Sequence, residues 1–64
     1  MSYAEAKEIA LLRLELRAAC HGGNPGAAAA ALVRLARLAQ AGNDNELSAE
    51  IRRWTIKLEA SGAT

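Results

Sequence analysis

The chain has 64 residues, with eight basic and seven acidic side chains, one cysteine and one histidine. A chain this short forms at most one domain and buries only about 60% of its unfolded surface. The single cysteine excludes an internal disulfide, the single histidine argues against a structural zinc, and a net charge of +1 is too small to predict a polyanionic partner. Oligomerisation is therefore the expected source of further stability.

No targeting or membrane segment is predicted. Glu5 and Glu8 lie where a secretory signal would carry positive charge before an apolar stretch. The longest apolar run, residues 27–33, is far too short to cross a bilayer. We therefore expect a soluble protein in a reducing compartment, such as the cytoplasm of an expression host.

Helix 1 is predicted at about residues 2–21. Ser2 and Glu5 have the spacing of a capping box, in which both side chains bond to free backbone N–H groups at the helix start. Gly22 is expected to adopt the left-handed conformation that ends the helix, and Gly23 to continue the break.

The predicted helix 1 has apolar residues on two opposite sides, since successive residues are about 100° apart around the axis. One stripe contains Ile9, Leu12, Leu16, Ala19 and Cys20. The other stripe contains Leu11, Leu14 and Ala18. The flanks between the stripes are charged, with Glu8 and Glu15 on one and Arg13 and Arg17 on the other. A helix that is apolar on two sides must be covered twice.

Helix 2 is predicted at residues 25–41, with Asn24 as N-cap, Pro25 at the first helical position and Gly42 as the stop. Only the sector with Arg34, Arg37 and Gln40 is clearly polar. We therefore expect helix 2 to be the most enclosed of the three helices, with Leu32, Leu35 and Leu38 in the core. The alanines at 27–31 favour a close helix crossing or merely a good helical start.

Helix 3 is predicted at about residues 44–60. Asn43 with Glu46 forms a second capping-box pattern, although Asp44 is an alternative cap that shifts the start by one residue. The polar residues 61–64 are expected to fray.

One clean apolar stripe is predicted on helix 3, spaced like the seam of a coiled coil: Leu47, Ile51, Trp54 and Leu58. A second set is expected to be solvated: Glu46, Glu50, Arg53 and Lys57. Ile56 lies opposite Trp54, where it is either an ordinary exposed residue or part of a subunit contact.

These elements predict an all-α protein with three helices in an up-down-up arrangement, because short loops join antiparallel neighbours. A fragment of a helical-hairpin repeat is the main alternative. The predicted core contains Ile9, Leu12, Leu16, Leu32, Leu35, Leu38, Leu47, Ile51, Trp54 and Leu58.

The second stripe of helix 1 predicts self-association. The stripe with Ile9 has the larger apolar area and is assigned to the core, and the opposite assignment stays open. The predicted interface contains Leu11, Leu14, Ala18 and Ile56. A two-fold dimer is the first expectation and higher cyclic states are alternatives. Glu8 or Glu15 of one copy is then available to pair with Arg13 or Arg17 of the other.

No catalytic, metal or cofactor site and no small-molecule ligand is predicted. Cys20 and His21 are adjacent on a helix and point about 100° apart, and a helix C-terminus disfavours a thiolate. Residues 22–24 lack the strand and the lysine of a phosphate-binding loop. Cys20 is instead expected to be a small buried residue.

Nucleic-acid binding by a helix-turn-helix is the strongest rival from another class of function. Helix 3 offers basic residues to phosphates: Arg52, Arg53 and Lys57. It also carries Glu46, Glu50 and Glu59. With basic and acidic residues nearly equal in number, the chain lacks the basic surface that phosphate binding requires. Neither nucleic acid nor a membrane is therefore expected as a partner.

The chain resembles computationally designed helical proteins, particularly small cyclic homo-oligomers. The resemblance covers nearly the whole chain and rests on the Ser2 cap with Glu5, the connectors at 22–25 and 42–44, the alanines at 27–31, and a single Trp54 without phenylalanine. It implies that the protein folds and assembles without a substrate. The chain departs from that style at Cys20, His21 and Thr55 and in the like-charged pair Arg13 and Arg17. A natural helical interaction module is the alternative.

Overall fold

The structure is a computed structural model that describes residues 2–62, with the side chains of residues 2–60. It contains three helices: α1 (Tyr3–His21), α2 (Pro25–Ala41) and α3 (Asn45–Gly62). The predicted all-α class and the three helices are confirmed. Helix α3 continues through Ser61 and Gly62, two residues beyond its predicted end, residues 63 and 64 lie outside the described residues, and the fraying of residues 61–64 stays a prediction.

The start of α1 uses the serine cap that the sequence predicts. The Glu5 backbone N–H donates to Ser2 Oγ at 3.2 Å. The Ser2 backbone is extended at φ −80° and ψ 162°, which is the usual conformation of an N-cap residue. This bond satisfies one of the N–H groups that have no partner within the helix.

The turn after α1 is a Schellman motif. The Asn24 N–H donates to the Ala19 carbonyl at 2.8 Å, and the Gly23 N–H donates to the Cys20 carbonyl at 3.3 Å. The left-handed residue is Gly23, at φ 68°, whereas Gly22 stays near helical values at φ −82°. The prediction that Gly22 takes this conformation is therefore wrong by one residue, because the helical geometry continues through it.

The turn after α2 repeats the same hydrogen bonds twenty residues later. The Asp44 N–H donates to the Ala39 carbonyl at 2.9 Å, and the Asn43 N–H donates to the Gln40 carbonyl at 3.3 Å. Asn43 takes the left-handed conformation at φ 50° and so cannot serve as N-cap. Asp44 is the cap, since its Oδ1 accepts the Leu47 N–H at 3.0 Å. The alternative start of helix 3 is therefore correct.

The cap of α2 also follows the sequence. Asn24 Oδ1 accepts the Ala27 N–H at 3.1 Å, and Pro25 lies in the first turn, where a missing N–H has no cost. Asn24 and Asp44 thus each close one helix with the backbone N–H and cap the next helix with the side chain.

The middle helix joins the other two. α2 packs against α1 and against α3, whereas no Cα atom of α1 lies within 8 Å of one in α3, among the described residues. Arg13 pairs with Glu50, and Cys20 lines the same cleft as Leu58, so α1 and α3 run in the same direction. The protein extends 39 Å along its longest axis and 19 Å and 13 Å along the other two.

The core lies mainly between α1 and α2. Its buried members are Ile9, Leu12, Leu16, Ala19, Ala28, Ala31, Leu32, Leu35, Ala39 and Leu47. The alanines of α2 lie among these residues and let the leucines of α1 approach its backbone. Leu47 is the buried member from α3, which is therefore the least enclosed of the three helices.

Four residues of the predicted core are only partly buried: Leu38, Ile51, Trp54 and Leu58. Cys20, expected to be buried, is also only partly covered. Three of the four belong to α3, whose C-terminal half lies opposite the end of α1. The described backbones of α1 and α3 do not approach within 8 Å, which leaves space beside Trp54 and Leu58.

Candidate interaction sites

The side of α1 that faces away from the core is apolar and uncovered. Leu11 and Leu14 are 51% and 62% exposed, and Ala18 is exposed as well. We call these three residues the outer α1 face. The stripe with Ile9, Leu12 and Leu16 lies inside the protomer, so the structure places the two stripes as the sequence analysis assigned them.

The sequence analysis did not identify the charged residue that bounds the outer α1 face. Lys7 precedes Leu11 by four residues and therefore lies on the same side of the helix, where it is exposed. The apolar surface begins only after this ammonium group. The sequence does contain this signal. Positions 7, 11, 14 and 18 are spaced four, three and four residues apart, so Lys7 extends the stripe of Leu11, Leu14 and Ala18 toward the N-terminus.

Two of the flanking charges already have partners within the protomer. Arg13 Nε and Nη2 donate to the two carboxylate oxygens of Glu50 at 2.8 and 3.0 Å. Glu8 lies 3.9 Å from an Arg34 nitrogen. Of the proposed partners across an interface, Glu15 and Arg17 are thus the ones without an ion pair among the described residues.

The Arg13 and Glu50 pair also corrects the expectation that Glu50 is simply solvated. Glu50 is partly buried and joins α3 to α1, where the two backbones do not approach. The fork geometry is the strong form of this interaction. Its position on the protein surface limits what it contributes to stability.

Ile56 is a second exposed apolar residue, 61% accessible, on the side of α3 opposite Leu47 and Ile51. The outer α1 face likewise points away from the core. Val33 on α2 is also exposed, which corrects the expectation that α2 is enclosed around most of its circumference.

A cleft of about 530 Å³ opens between the end of α1 and the C-terminal half of α3. Its apolar walls include Ala19, Cys20, Trp54 and Leu58. Its ionisable lining, apart from the thiol, consists of Arg17, His21 and Lys57. Lys57 Nζ lies 5.4 Å from the centre of the Trp54 ring, a cation–π distance. Sequence reasoning missed this cleft because it assigned the whole stripe of α3 to the core.

The placement of Cys20 and His21 offers no nucleophile and base pair. Both line the cleft, but they are successive residues in the last turn of α1 and point in different directions. Across residues 2–62, no cluster of three or more His, Cys, Asp or Glu side chains has the arrangement of a metal site.

Comparison with known proteins adds no relative. No family model, curated protein or solved structure matches the chain. None of the three described helices has the length and apolar character needed to cross a membrane.

Proposed function

We propose that this protein is an assembling helical scaffold, a homodimer whose copies meet through the outer α1 face. One observation carries the proposal: Leu11 and Leu14 are more than half exposed on the side of α1 opposite a fully formed core stripe. An apolar surface on the far side of a buried helix is typical of a protein contact. The resemblance to designed oligomers agrees with this role.

The thinness of the core supports the proposal. Four of the ten buried apolar residues are alanines, and the largest fully buried side chains are Leu16 and Leu35. Small domains with so little buried surface commonly gain stability from oligomerisation. Covering Leu11 and Leu14 with the same residues of a second copy extends the apolar burial across the subunit boundary.

A two-fold dimer is the simplest geometry for this surface. A two-fold contact presents the same patch from both copies, so the outer α1 face needs no complementary surface elsewhere. The patch is small and bounded by Lys7, which places the contact at the weak end of specific interfaces. The dimer is therefore in concentration-dependent equilibrium with the monomer.

Ile56 bears on the symmetry of the assembly. A contact between the outer α1 face of one copy and the Ile56 side of the next is head-to-tail, and such contacts build rings or open chains. If Ile56 belongs to the interface, the contact is either head-to-tail or a two-fold contact in which the outer α1 face of each copy meets Ile56 of the other. If only the outer α1 face belongs to it, the assembly is a two-fold dimer.

Sedimentation equilibrium of three glutamate variants tests the proposal, with circular dichroism to monitor helicity. We expect Leu14→Glu to be monomeric with unchanged helicity, because the carboxylate disrupts only a surface contact. Ile56→Glu should keep the dimer. Leu12→Glu, the matched control within the core, should lose helicity because it buries an unpaired charge.

Each outcome is decisive. If Leu14→Glu has the same mass as the unsubstituted protein, the outer α1 face is not the contact. If Ile56→Glu also dissociates the assembly, Ile56 belongs to the contact, and the mass of the unsubstituted protein distinguishes a two-fold dimer from a head-to-tail ring. If Leu14→Glu unfolds while Leu12→Glu only dissociates, the two stripes of α1 have the opposite roles.

A further inference from the structure

The C-terminal half of α3 leaves apolar surface uncovered inside the protomer. Ile51, Trp54 and Leu58 pack against the core without being buried, whereas Leu47 at the other end of the same stripe is buried. The gap beside them is the cleft lined by Ala19 and Cys20. Its volume of about 530 Å³ lies within the usual range of small-molecule sites.

We propose that this cleft binds a small amphipathic anion, a medium-chain alkyl carboxylate. The hydrocarbon chain lies against Trp54, Leu58 and Cys20, and removes from water the surface that α1 leaves uncovered. The carboxylate lies at the mouth of the cleft between Arg17 and Lys57. The site is separate from the outer α1 face and does not depend on assembly.

The charge of the lining selects the sign of the ligand. Arg17, His21 and Lys57 line the cleft, and no carboxylate does so among the described residues. Arg17 has no ion pair there, in contrast to Arg13, which Glu50 neutralises one turn earlier.

The geometry of Lys57 places a cation at the edge of the apolar wall. Its Nζ lies over the Trp54 ring, 5.4 Å from the centre, so one face of the ring carries the ammonium group and the other face and the ring edge are left for the hydrocarbon chain. A carboxylate at the mouth can accept hydrogen bonds from this group and from the Arg17 guanidinium. A cationic amphiphile of the same length would meet like charges at these positions.

Titration with decanoate below its micelle concentration tests the proposal, because Trp54 is the single tryptophan and reports on the cleft. We expect a saturable blue shift of Trp54 emission with decanoate. Decanol and decyltrimethylammonium serve as neutral and cationic controls of equal chain length. Both controls should bind at least about tenfold more weakly than decanoate, since they lack the charge-assisted contacts.

Substitutions separate the charge from the fold. Arg17→Gln combined with Lys57→Gln should weaken decanoate binding by about tenfold and leave decanol binding unchanged, with helicity as the control for folding. Leu11→Glu, which also places a charge on the outer α1 face, should bind decanoate like the unsubstituted protein, because Leu11 lies more than one turn before Arg17 and on another side of α1. Loss of self-association in Leu11→Glu with retained decanoate binding separates this inference from the proposed assembly.

Three results would overturn the inference. The first is the absence of a saturable change in Trp54 emission with decanoate. The second is equal affinity for decanoate, decanol and decyltrimethylammonium, which indicates a non-selective apolar surface. The third is unchanged decanoate affinity in the double glutamine variant when its helicity is intact.

Discussion

The α1 and α2 hairpin and helix α3 differ in how far they bury apolar residues that have the same helical spacing. Leu12 and Leu16 on α1 are buried because Ala28 and Ala31 on α2 let the helices approach closely. Trp54 and Leu58 on α3 are repeated just as regularly and stay partly exposed. Periodicity indicates which side of a helix turns inward, and the distance to the neighbouring helix decides how deeply that side is buried.

The largest effect expected from this difference is on core truncation. Leu16→Ala should lower the free energy of unfolding by about 2–5 kcal/mol, since it leaves a cavity in the closest-packed region. Leu58→Ala should cost less than about half as much, because Leu58 already contacts open space. Urea unfolding followed by circular dichroism at one protein concentration measures both. Equal losses would mean that α3 is packed as tightly as the hairpin.

A smaller effect is expected from the turns, which share one hydrogen-bond pattern but place glycine differently. Gly23→Ala should cost about 1–2 kcal/mol, because an alanine at φ 68° is strained although nothing lies within 4 Å of its added methyl group. Gly42→Ala is the matched control, since its φ is −97° and its methyl group would make an ordinary 3.5 Å contact.

Thermal unfolding of the two alanine variants measures this contrast. Gly42→Ala should be neutral or slightly stabilising, because it reduces the freedom of the unfolded chain. A Gly23→Ala variant as stable as Gly42→Ala would contradict the left-handed conformation assigned to Gly23.

The smallest effect is expected from the charge pair that joins the hairpin to α3. Arg13→Gln should destabilise the fold by less than about 1 kcal/mol, since Arg13 and Glu50 remain accessible to solvent. The loss should shrink further in about 1 M salt. Arg34→Gln, whose partner Glu8 lies at 3.9 Å, is the control and should have no measurable effect. A larger loss for Arg34→Gln would reverse the ranking of the two pairs.

The sequence predicts the helices well because their ends are marked by local chemistry. Ser2 and Asn24 cap the next helices, and the glycines and Asn43 interrupt them. The prediction of the left-handed residue at Gly22 is wrong by one position, because either of two consecutive glycines can adopt this conformation and the structure has it at Gly23. Only the hydrogen bonds of the turn decide between them.

The candidate sites are less predictable because they depend on relations between helices. The outer α1 face follows from spacing within one helix, and the sequence analysis places it. The Arg13 and Glu50 pair and the cleft beside Trp54 depend on how far apart α1 and α3 lie. The residue pattern of a single helix does not predict the distance between two helices. The same limit explains why Ile51, Trp54 and Leu58 were assigned to the core.

The most direct test of the account is the molar mass of the unsubstituted protein, measured by light scattering coupled to size exclusion across the micromolar range. The account predicts a mass that rises with concentration toward that of two chains, while Leu14→Glu stays at the mass of one. A mass of one chain at every concentration for the unsubstituted protein would contradict self-association through the outer α1 face.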